Sequence, residues 1–474
     1  MPQVLSRGPL AYLFSAALAA GALVGCDDYL DVNDDPNNAL TPPLDGVLAV
    51  ATLNTGLNQF RVADAYAAFF TQYLASPNQA ASTDIYEETD YSGTWASLYG
   101  AMTDAYDVIR LAEERQANDH LGIARAVMAV NLGLVVDSWG DAPYSGAFDG
   151  QTVTPAYDDA EALYDEIFAL LDGAREAFAD SSLVVIDAGS DFIHGGDTDA
   201  WRRTVRALEA RYRLHLSETG AYDPAAVLAA VDEAYTSNAD DAQVTTFEQR
   251  NPWADVALGN DNLILDGWLS EQFVDALNGT TYGTFDPRLP LLTDTTDAGD
   301  YVGTVNGAGR RGDGTTAEES YLELDGALSS EDSPLPIITY AEVKFIEAEA
   351  ALDAGDRDRA LGAFREGIRA SMAKIGVDDT AAAAFIDDAY GDLDADDLSE
   401  DEIFREKYIA LFLSPETWVD ARRYDYAYAD FELPVGAVTD DFIRRVAYPA
   451  TEETRNRGNV PVESDLTARL FWDQ

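Results

Sequence analysis

Apolar residues recur at helical spacing through most of the chain beyond residue 44, and one segment shows the pattern clearly. Trp201, Val205, Leu208, Tyr212 and Leu216 stand at positions i, i+4, i+7, i+11 and i+15. This spacing puts all five side chains on one face of an α-helix. The segment therefore predicts an amphipathic helix of about five turns with its apolar face against a core.

Glycine, proline and aspartate mark where the predicted helices end and begin. Gly220 stands where the first helix should stop, and Pro224 suits the first turn of the next one. A clearer pair of helices meets at Gly355 and Asp356, a turn followed by a helix-capping residue. The apolar stripes of this pair consist of Tyr340, Val343, Ile346 and Ala350 before the turn, and of Ala360, Phe364 and Ile368 after it.

This pair resembles a tetratricopeptide helix–turn–helix unit, with alanines where the helices pack closely. Weaker pairs occupy residues 95–136 and 157–216, so about four such units are predicted. We therefore expect a mostly α-helical fold in which tetratricopeptide-like units form an α/α superhelix. An unrelated helical hairpin would give the same local pattern and is the alternative.

The charge of the chain excludes several classes of protein. Lys and Arg total 30 against 86 Asp and Glu, and the net charge of −56 has the wrong sign for binding nucleic acid through its phosphates. The acidic residues are spread along the chain, a pattern typical of adaptation to high salt. A single cysteine excludes an intramolecular disulfide framework and a cysteine-rich zinc site. Apolar residues still make up 47% of the chain, enough to build a large core.

The N-terminus has the features of a lipoprotein signal peptide. Arg7 supplies a positive charge, and residues 10–24 form an uncharged run of 15 residues. Such a run is too short to span a membrane core of about 30 Å. It leads into Leu23-Val24-Gly25-Cys26, which resembles the bacterial lipobox, and Cys26 is the only cysteine in the chain. An ordinary signal peptide followed by a chance cysteine is the alternative.

The lipobox resemblance implies cleavage before Cys26 and lipidation of its thiol. Several acyl chains on one residue would give lasting attachment, since each buried methylene contributes about 0.8 kcal/mol. Asp27 and Asp28 follow directly, and acidic residues at this place resemble the surface-export signals of Bacteroidetes lipoproteins. We expect a protein tethered to the membrane by lipid, with no further segment able to cross it.

The helical pattern is interrupted between residues 246 and 336, where glycine, aspartate and threonine dominate. Long irregular segments in compact proteins are often functional, so we expect a loop-rich lobe that faces the ligand. The chain is then divided into a signal peptide (1–25), a lipidated N-terminus and tether (26–43) and a single domain (44–474). Within that domain, the predicted parts are a helical scaffold at about 44–245 and 337–430, the lobe at about 246–336, and an irregular C-terminal segment at 431–474.

The sequence carries no motif for a catalytic centre, a metal site or a cofactor. It lacks a Gly-x-Ser-x-Gly elbow, a P-loop and a His-Glu-x-x-His sequence. His120, His194 and His215 are not spaced as metal ligands, so we expect them at the surface or in helix packing. The helix predicted at 201–216 carries five arginines, and we expect them to form structural ion pairs with carboxylates: Arg202, Arg203, Arg206, Arg211 and Arg213.

A glycoside hydrolase on a helical scaffold is the alternative function. Such an enzyme needs only two suitably spaced acids, and 86 carboxylates are present. With so many acids, a pair chosen from the sequence alone carries no information, so no catalytic residue is assigned.

Four aromatic residues in predicted loops are the candidates for ligand binding: Tyr86, Tyr91, Trp253 and Trp268. Aromatic rings can stack on sugar rings or pack on peptide side chains at a low cost in side-chain entropy. The alternative is that each ring anchors its loop to the core. A structural role is expected for the tryptophans in helical or turn contexts: Trp95, Trp139, Trp201 and Trp418.

Sequence blocks along the mature chain resemble the SusD/RagB family of lipoproteins. Residues 28–37 look like the opening of mature members, and residues 137–145 resemble a Gly-Asp-x-Pro-Tyr segment. Further blocks follow in the family's order at 195–197, 286–289, 301–303, 408–412, 418–423, 448–449 and 470–473. Trp139 stands where phenylalanine is common, and Phe471 replaces one tryptophan of the usual ending.

The resemblance implies an α-helical fold of four tetratricopeptide-like units with an irregular ligand lobe. It also implies a surface-exposed outer-membrane lipoprotein that captures a nutrient, which is an oligosaccharide or, in some branches, a peptide. The implied partner is a SusC-like TonB-dependent transporter, and no cofactor, metal or nucleic acid is expected. The family's ligand residues follow no fixed motif, so none is transferred to this chain. A third possibility is an assembly scaffold, which would bind partners but no small ligand.

Overall fold

The computed structural model of the protein describes residues 43–261, 267–312, 318–463 and 465–474. The predicted signal peptide, Cys26 and the tether up to residue 42 lie outside the described residues. Helices dominate the described chain, and strands are few and short. The predicted mostly α-helical fold is confirmed.

The helices follow one another through most of the chain. In order they are α1 (Leu44–Val62), α2 (Ala68–Phe70), α3 (Ser92–Arg115), α4 (Asn118–Trp139), α5 (Ala160–Ala179), α6 (Thr198–His215), α7 (Pro224–Val231), α8 (Pro252–Asp261), α9 (Glu271–Asn278), α10 (Tyr340–Asp353), α11 (Arg357–Ile375), α12 (Asp379–Tyr390), α13 (Glu400–Ala410), α14 (Glu416–Arg423) and α15 (Ala450–Arg455). A π-helical turn, Ala63–Ala67, joins α1 to α2. Short 3₁₀ turns occur at Ala188–Ser190, Asn238–Asp240 and Leu289–Leu291.

Two small antiparallel sheets connect distant parts of the chain. Their strands are β1 (Leu74–Ala75), β2 (Ala242–Val244), β3 (Trp268–Leu269) and β4 (Leu335–Ile338). β1 pairs with β3, with Leu74 opposite Leu269 and Ala75 opposite Trp268. β2 pairs with β4. The first sheet fixes the middle of the lobe to the segment that follows α2.

Consecutive helices pack side by side to form the scaffold. Extensive contacts join α3 with α4, α4 with α5, α6 with α7, and α10 with α11. α1 lies against α3 and α4, while α10 also contacts α6, α7 and α13. Each hairpin therefore buries its apolar faces against its neighbours, as stacked helical repeats do. This arrangement confirms the tetratricopeptide-like superhelix.

The helix boundaries follow the signals in the sequence. Asp197 caps α6 by accepting hydrogen bonds from the backbone N–H groups of Asp199 and Ala200 at 2.9 and 3.1 Å. At the α10–α11 turn, Gly355 adopts a φ of +79°, and the Asp356 carboxylate accepts from the N–H of Arg359. A backbone with positive φ favours glycine, which explains why residue 355 of this turn is a glycine.

The arginines of α6 and the three histidines are used in packing, as predicted; His120 and His215 lie in α4 and α6, and His194 lies in the turn before α6. Arg211 is buried and pairs with Glu342, with 2.6 Å between Nε and Oε1. The other arginine ion pairs of α6 among the described residues are Arg202–Asp199, Arg203–Asp240, Arg206–Glu209, Arg206–Glu233, Arg211–Glu416 and Arg213–Glu209. The histidine contacts are His120 with Asp45, His194 with Thr204, and His215 with Glu416 and Tyr164.

One described helix, α4, is long and apolar enough to cross a membrane, contrary to the expectation from the sequence. The apolar window of α4 is 89% buried inside the protein. Its hydrophobicity is explained by its central position, since α3 and α5 cover it on two sides.

The lobe contains more regular structure than its sequence predicts. α8, α9 and β3 all lie within residues 246–336. α9 buries Phe273, Val274 and Leu277 against the core. Helices of eight to ten residues are too short to produce a convincing periodicity, which explains why the sequence pattern missed them.

Candidate functional site

The four aromatic candidates for ligand binding are all buried. The exposed fraction is 0% for Tyr86 and Trp268, 2% for Trp253 and 8% for Tyr91. Their ring contacts are Tyr86 with Phe70 at 5.6 Å, Tyr91 with Tyr66 at 4.8 Å, Trp253 with Phe60 at 4.8 Å and Trp268 with Tyr321 at 6.3 Å between centroids. None can stack on a ligand in this conformation, and the burial matches the alternative that each ring anchors its segment to the core. The predicted loop position is wrong for Trp253 and Trp268, which lie in α8 and β3.

Three loops from distant parts of the chain meet beside α9. We call them together the loop junction: residues 76–87, 303–311 and 432–438. Backbone hydrogen bonds connect them, from Ala80 N to Gly307 O at 3.0 Å and, each at 2.9 Å, from Arg310 N to Pro77 O, Val435 N to Asn306 O, and Val438 N to Ile85 O. Because these hydrogen bonds join backbone groups, they fix the positions of the three loops relative to one another.

Asp84 is the polar centre of the loop junction and is 1% exposed. Its carboxylate accepts hydrogen bonds from Gly307 N at 2.9 Å, Ser76 N at 3.0 Å and Asn306 Nδ2 at 2.8 Å. Burial raises the pKa of the Asp84 carboxyl to about 6, and the same three hydrogen bonds oppose the rise. One side chain therefore ties two of the three loops together.

Close backbone contacts at the junction require glycine at two positions. Gly307 has a φ of +78°, and a Cβ there would lie 2.1 Å from Val435 O. Gly309 has a φ of +73°, and a Cβ there would lie 2.5 Å from Gln79 N. Any other residue would force the neighbouring loop outward.

A cavity of about 230 Å³ opens beside the loop junction, and we call it the junction pocket. α9 contributes Glu271, Gln272 and Asp275 to its wall, the loop junction contributes Asn306, and the segment 430–435 closes the other side. Gln72 and Gln272 are more than nine-tenths buried. Their amide nitrogens donate to Glu432 O at 2.7 Å and Ala429 O at 3.0 Å, which holds this segment in place.

The wall of the junction pocket is partly acidic and partly apolar. Its carboxylates are Glu271, Asp275, Asp430 and Glu432. Leu433, Pro434 and Val435 form an apolar strip, with Leu433 37% and Val435 53% exposed. Oxygen acceptors beside apolar surface can hold a molecule that has both hydroxyl groups and C–H faces, as a sugar ring does.

Two more open hollows lie elsewhere on the described surface. One, of about 450 Å³, lies between α5, the end of α6 and Phe471, and the other, of about 470 Å³, lies beside residues 453–463. The junction pocket is the stronger candidate because α9 and residues 305–306 of the predicted lobe form one side of it and its loops are fixed by hydrogen bonds.

The comparisons with known proteins decide the family. Residues 40–449 match the family model SusD-like, described as starch-binding and associating with the outer membrane. The chain belongs to the SusD-like family. No curated protein matches the chain.

Solved structures share the fold of this SusD-like chain. A SusD/RagB family protein from Bacteroides thetaiotaomicron is 22% identical, with a TM-score of 0.76 over 91% of this chain and 99% of that one. A chitin-binding SusD homologue from Flavobacterium johnsoniae is 20% identical, with a TM-score of 0.76 over 91% of this chain and 98% of that one.

One carboxyl group with a raised pKa, that of Asp84, lies beside the junction pocket of the SusD-like chain and accepts a hydrogen bond from the wall residue Asn306. A glycosidase requires an acid with a raised pKa in its cleft. Burial is the main cause of a raised pKa at Asp84, Asp104, Asp137, Asp241, Glu319, Glu342, Glu349 and Glu400. None of these lines the junction pocket among the residues described.

Some site features of the SusD-like chain were missed by the sequence analysis. Gly307 and Gly309 stand two residues apart in a polar loop, a signal for close backbone contact that the analysis passed over. Asp294, Glu323 and Asp325 bring carboxylate oxygens within 4.8 Å of one another, although Asp294 is 29 positions from Glu323 in the sequence. Only the folded chain places such groups together.

Proposed function

We propose that this SusD-like chain captures an oligosaccharide at the outer membrane and delivers it to a SusC-like TonB-dependent transporter. The observation that carries the proposal is the family match over residues 40–449. The chitin-binding homologue from Flavobacterium johnsoniae supports a glycan as the cargo. A peptide is the alternative cargo.

The proposed attachment is by lipid on Cys26, with the domain facing the extracellular side. The lipobox-like residues before Cys26 and the acidic residues after it support this part of the proposal. The burial of α4 supports it as well, because the one described helix with the length and apolarity of a membrane span is occupied by core packing.

The junction pocket is the proposed capture site. Its acceptor groups can receive hydrogen bonds from sugar hydroxyls, while the strip of Leu433, Pro434 and Val435 can contact the C–H face of a ring. The helical scaffold would supply the rigid surface for the transporter, and the loops would select the cargo.

The test is calorimetric binding of oligosaccharide and peptide panels to the mature chain carrying Cys26→Ala. Val435→Arg would fill the pocket with a bulky side chain, so we expect it to weaken glycan binding at least about tenfold. Val438→Arg is the matched control, because Val438 lies in the same loop and is similarly exposed, at 59% against 53%, but does not line the pocket. Equal binding by both variants would contradict the assignment of the site, and breakdown of the ligand would contradict capture.

A further inference from the structure

Two hydroxyl groups in the wall of the junction pocket belong to the short turn that follows α9. We call residues 279–283 the threonine turn, because Thr280 and Thr281 both line the pocket. Their hydroxyl groups form no hydrogen bond with the described residues, so each can donate to a ligand or accept from it.

The other side-chain hydroxyl and amide groups of the described wall already donate within the protein. Ser270 Oγ donates to Asn306 Oδ1 at 2.6 Å. The amide nitrogens of Gln72, Gln272 and Asn306 donate to backbone carbonyl groups at 2.7, 3.0 and 3.0 Å. Hydrogen bonds from side-chain hydroxyl groups of the wall to a sugar therefore depend on where the threonine turn lies.

The backbone hydrogen bonds of the threonine turn hold it to α9 and to itself. Thr281 N donates to Asp275 O at 3.1 Å, and Gly283 N donates to Gly279 O at 2.9 Å. Gly279 and Gly283 have φ values of +91° and +80°, and glycine backbone is restrained little by sterics. Neither hydrogen bond joins the turn to the helical scaffold.

The side chain of Tyr282 connects the threonine turn to the scaffold. Its ring lies against the guanidinium group of Arg405 in α13, with 3.7 Å between Cζ and the ring centroid. At this distance the cation contacts the ring face and is attracted to its electrons. The Tyr282 hydroxyl meets the backbone of Ala429, next to the wall residue Asp430. One side chain therefore reaches both the scaffold and the opposite wall of the pocket.

Arg405 is held in place by residues other than those of the threonine turn. Its guanidinium group also faces the ring of Tyr390 at the end of α12, 5.4 Å from the centroid, and Nε lies 3.9 Å from Oε1 of the buried Glu406. The side chain of Arg405 is 17% exposed, and its Nε forms no hydrogen bond with the described residues. Contact with an aromatic ring is stronger for a cation that is largely removed from water, so Arg405 gives Tyr282 a firm support.

We propose that Arg405 is a positioning residue for glycan capture, which acts through the ring of Tyr282 to hold Thr280 and Thr281 at the junction pocket. This inference rests on the proposed glycan capture and adds the residues that set its hydroxyl contacts. Arg405 does not line the pocket, so it affects binding without touching the ligand. A turn fixed before the ligand arrives loses less conformational freedom on binding, which favours affinity.

The first measurement follows the threonine turn without any ligand. Arg405→Met removes the charge and keeps an apolar side chain of similar length, while Glu406 keeps its ion pair with Arg288, so the variant should fold. Hydrogen–deuterium exchange is measured by mass spectrometry on the mature chain carrying Cys26→Ala, with and without this substitution. We expect the amides of residues 279–283 to exchange about threefold to tenfold faster in the variant, with unchanged exchange in the buried helices.

The second measurement is calorimetric binding of the oligosaccharide panel, with maltohexaose and chitohexaose included. We expect Arg405→Met to weaken binding of the captured glycan about threefold to tenfold. Arg213→Met is the matched control, because it removes a guanidinium group from the ring of Phe168, 5.3 Å from the centroid, and does not touch the junction pocket. The control variant should bind the glycan as tightly as the wild-type chain.

A comparison of two Tyr282 backgrounds separates positioning through the ring from a general loss of stability. Tyr282→Phe keeps the ring that Arg405 contacts, and Tyr282→Leu removes it. The weakening of glycan binding caused by Arg405→Met should persist in the Tyr282→Phe background and disappear in the Tyr282→Leu background. An equal effect in both backgrounds would overturn the proposal, because Arg405 would then act through another contact such as Tyr390.

The outcomes separate this inference from the proposed function. Unchanged exchange of residues 279–283 in Arg405→Met, or glycan binding as tight as that of the wild-type chain, would overturn the role of Arg405 and leave glycan capture intact. A wild-type chain that binds no member of the oligosaccharide panel would overturn glycan capture, and this inference with it.

Discussion

Replacing Gly307 by alanine tests whether the loop junction has the fixed shape on which the site depends. A Cβ at Gly307 would lie 2.1 Å from Val435 O, far inside contact distance, and the backbone φ is +78°. Gly436 has nearly the same φ, +79°, but no atom lies within 4 Å of the place its Cβ would take. The two variants share the backbone penalty and differ only in the collision.

The expected losses of stability follow from the backbone penalty and the collision. A left-handed φ costs an L-residue about 1–2 kcal/mol, and alanine returns about 0.4–1 kcal/mol by restricting the unfolded chain. Gly436→Ala should therefore lower the free energy of unfolding by about 0–1.6 kcal/mol. Overpacking adds about 1–3 kcal/mol, so Gly307→Ala should lose about 1–4.6 kcal/mol.

Urea unfolding followed by circular dichroism measures both losses, and calorimetry measures glycan binding. We expect Gly307→Ala to weaken glycan binding as well, because the loop that carries Val435 must move. Equal losses of stability in the two variants would show that residues 432–438 move aside freely, and would refute a rigid junction.

Three further predictions concern other parts of the molecule. For Asp84, the rise of the carboxyl pKa from 3.8 to about 6 on folding means that wild-type stability falls by up to about 3 kcal/mol as the pH rises through this interval. Asp84→Asn should remove this contribution to the pH dependence, as urea unfolding at several pH values would show. Trp472 is fully buried over Arg422, so Trp472→Ala should cost about 3–5 kcal/mol in chemical denaturation, and Phe471→Ala, at a half-buried neighbour, should cost less. Cys26→Ala should abolish incorporation of labelled fatty acid and move the protein from the membrane to the soluble fraction, and retention in the membrane would contradict lipid anchoring.

The fold could be predicted because long helices leave a strong pattern. The helix predicted from the stripe of Trp201 to Leu216 is α6, which ends at His215, five residues before the predicted stop at Gly220, whereas α10 and α11 meet at the predicted turn of Gly355 and Asp356. Helix capping and burial of one face are local properties, and they were read correctly before the neighbours of each helix were known. Short helices such as α9 lack enough turns for this signal.

The site was harder to predict because the exposure of a side chain in a loop produces no periodic pattern in the sequence. Trp253 and Trp268 stand in the lobe as expected, yet they lie in α8 and β3, and their large rings are buried in the core. The junction itself depends on contacts between residues such as Asp84 and Gly307, which are more than 200 positions apart. No local pattern in a single sequence reports such a contact.

The most direct test of the central claim is calorimetry of the mature chain with an oligosaccharide panel, followed by mass analysis of the recovered ligand. The account predicts saturable binding of one glycan class at one site, loss of that binding in Val435→Arg but not in Val438→Arg, and recovery of the ligand intact. Shortened oligosaccharides, or silence across the whole panel, would contradict capture of a glycan at the junction pocket.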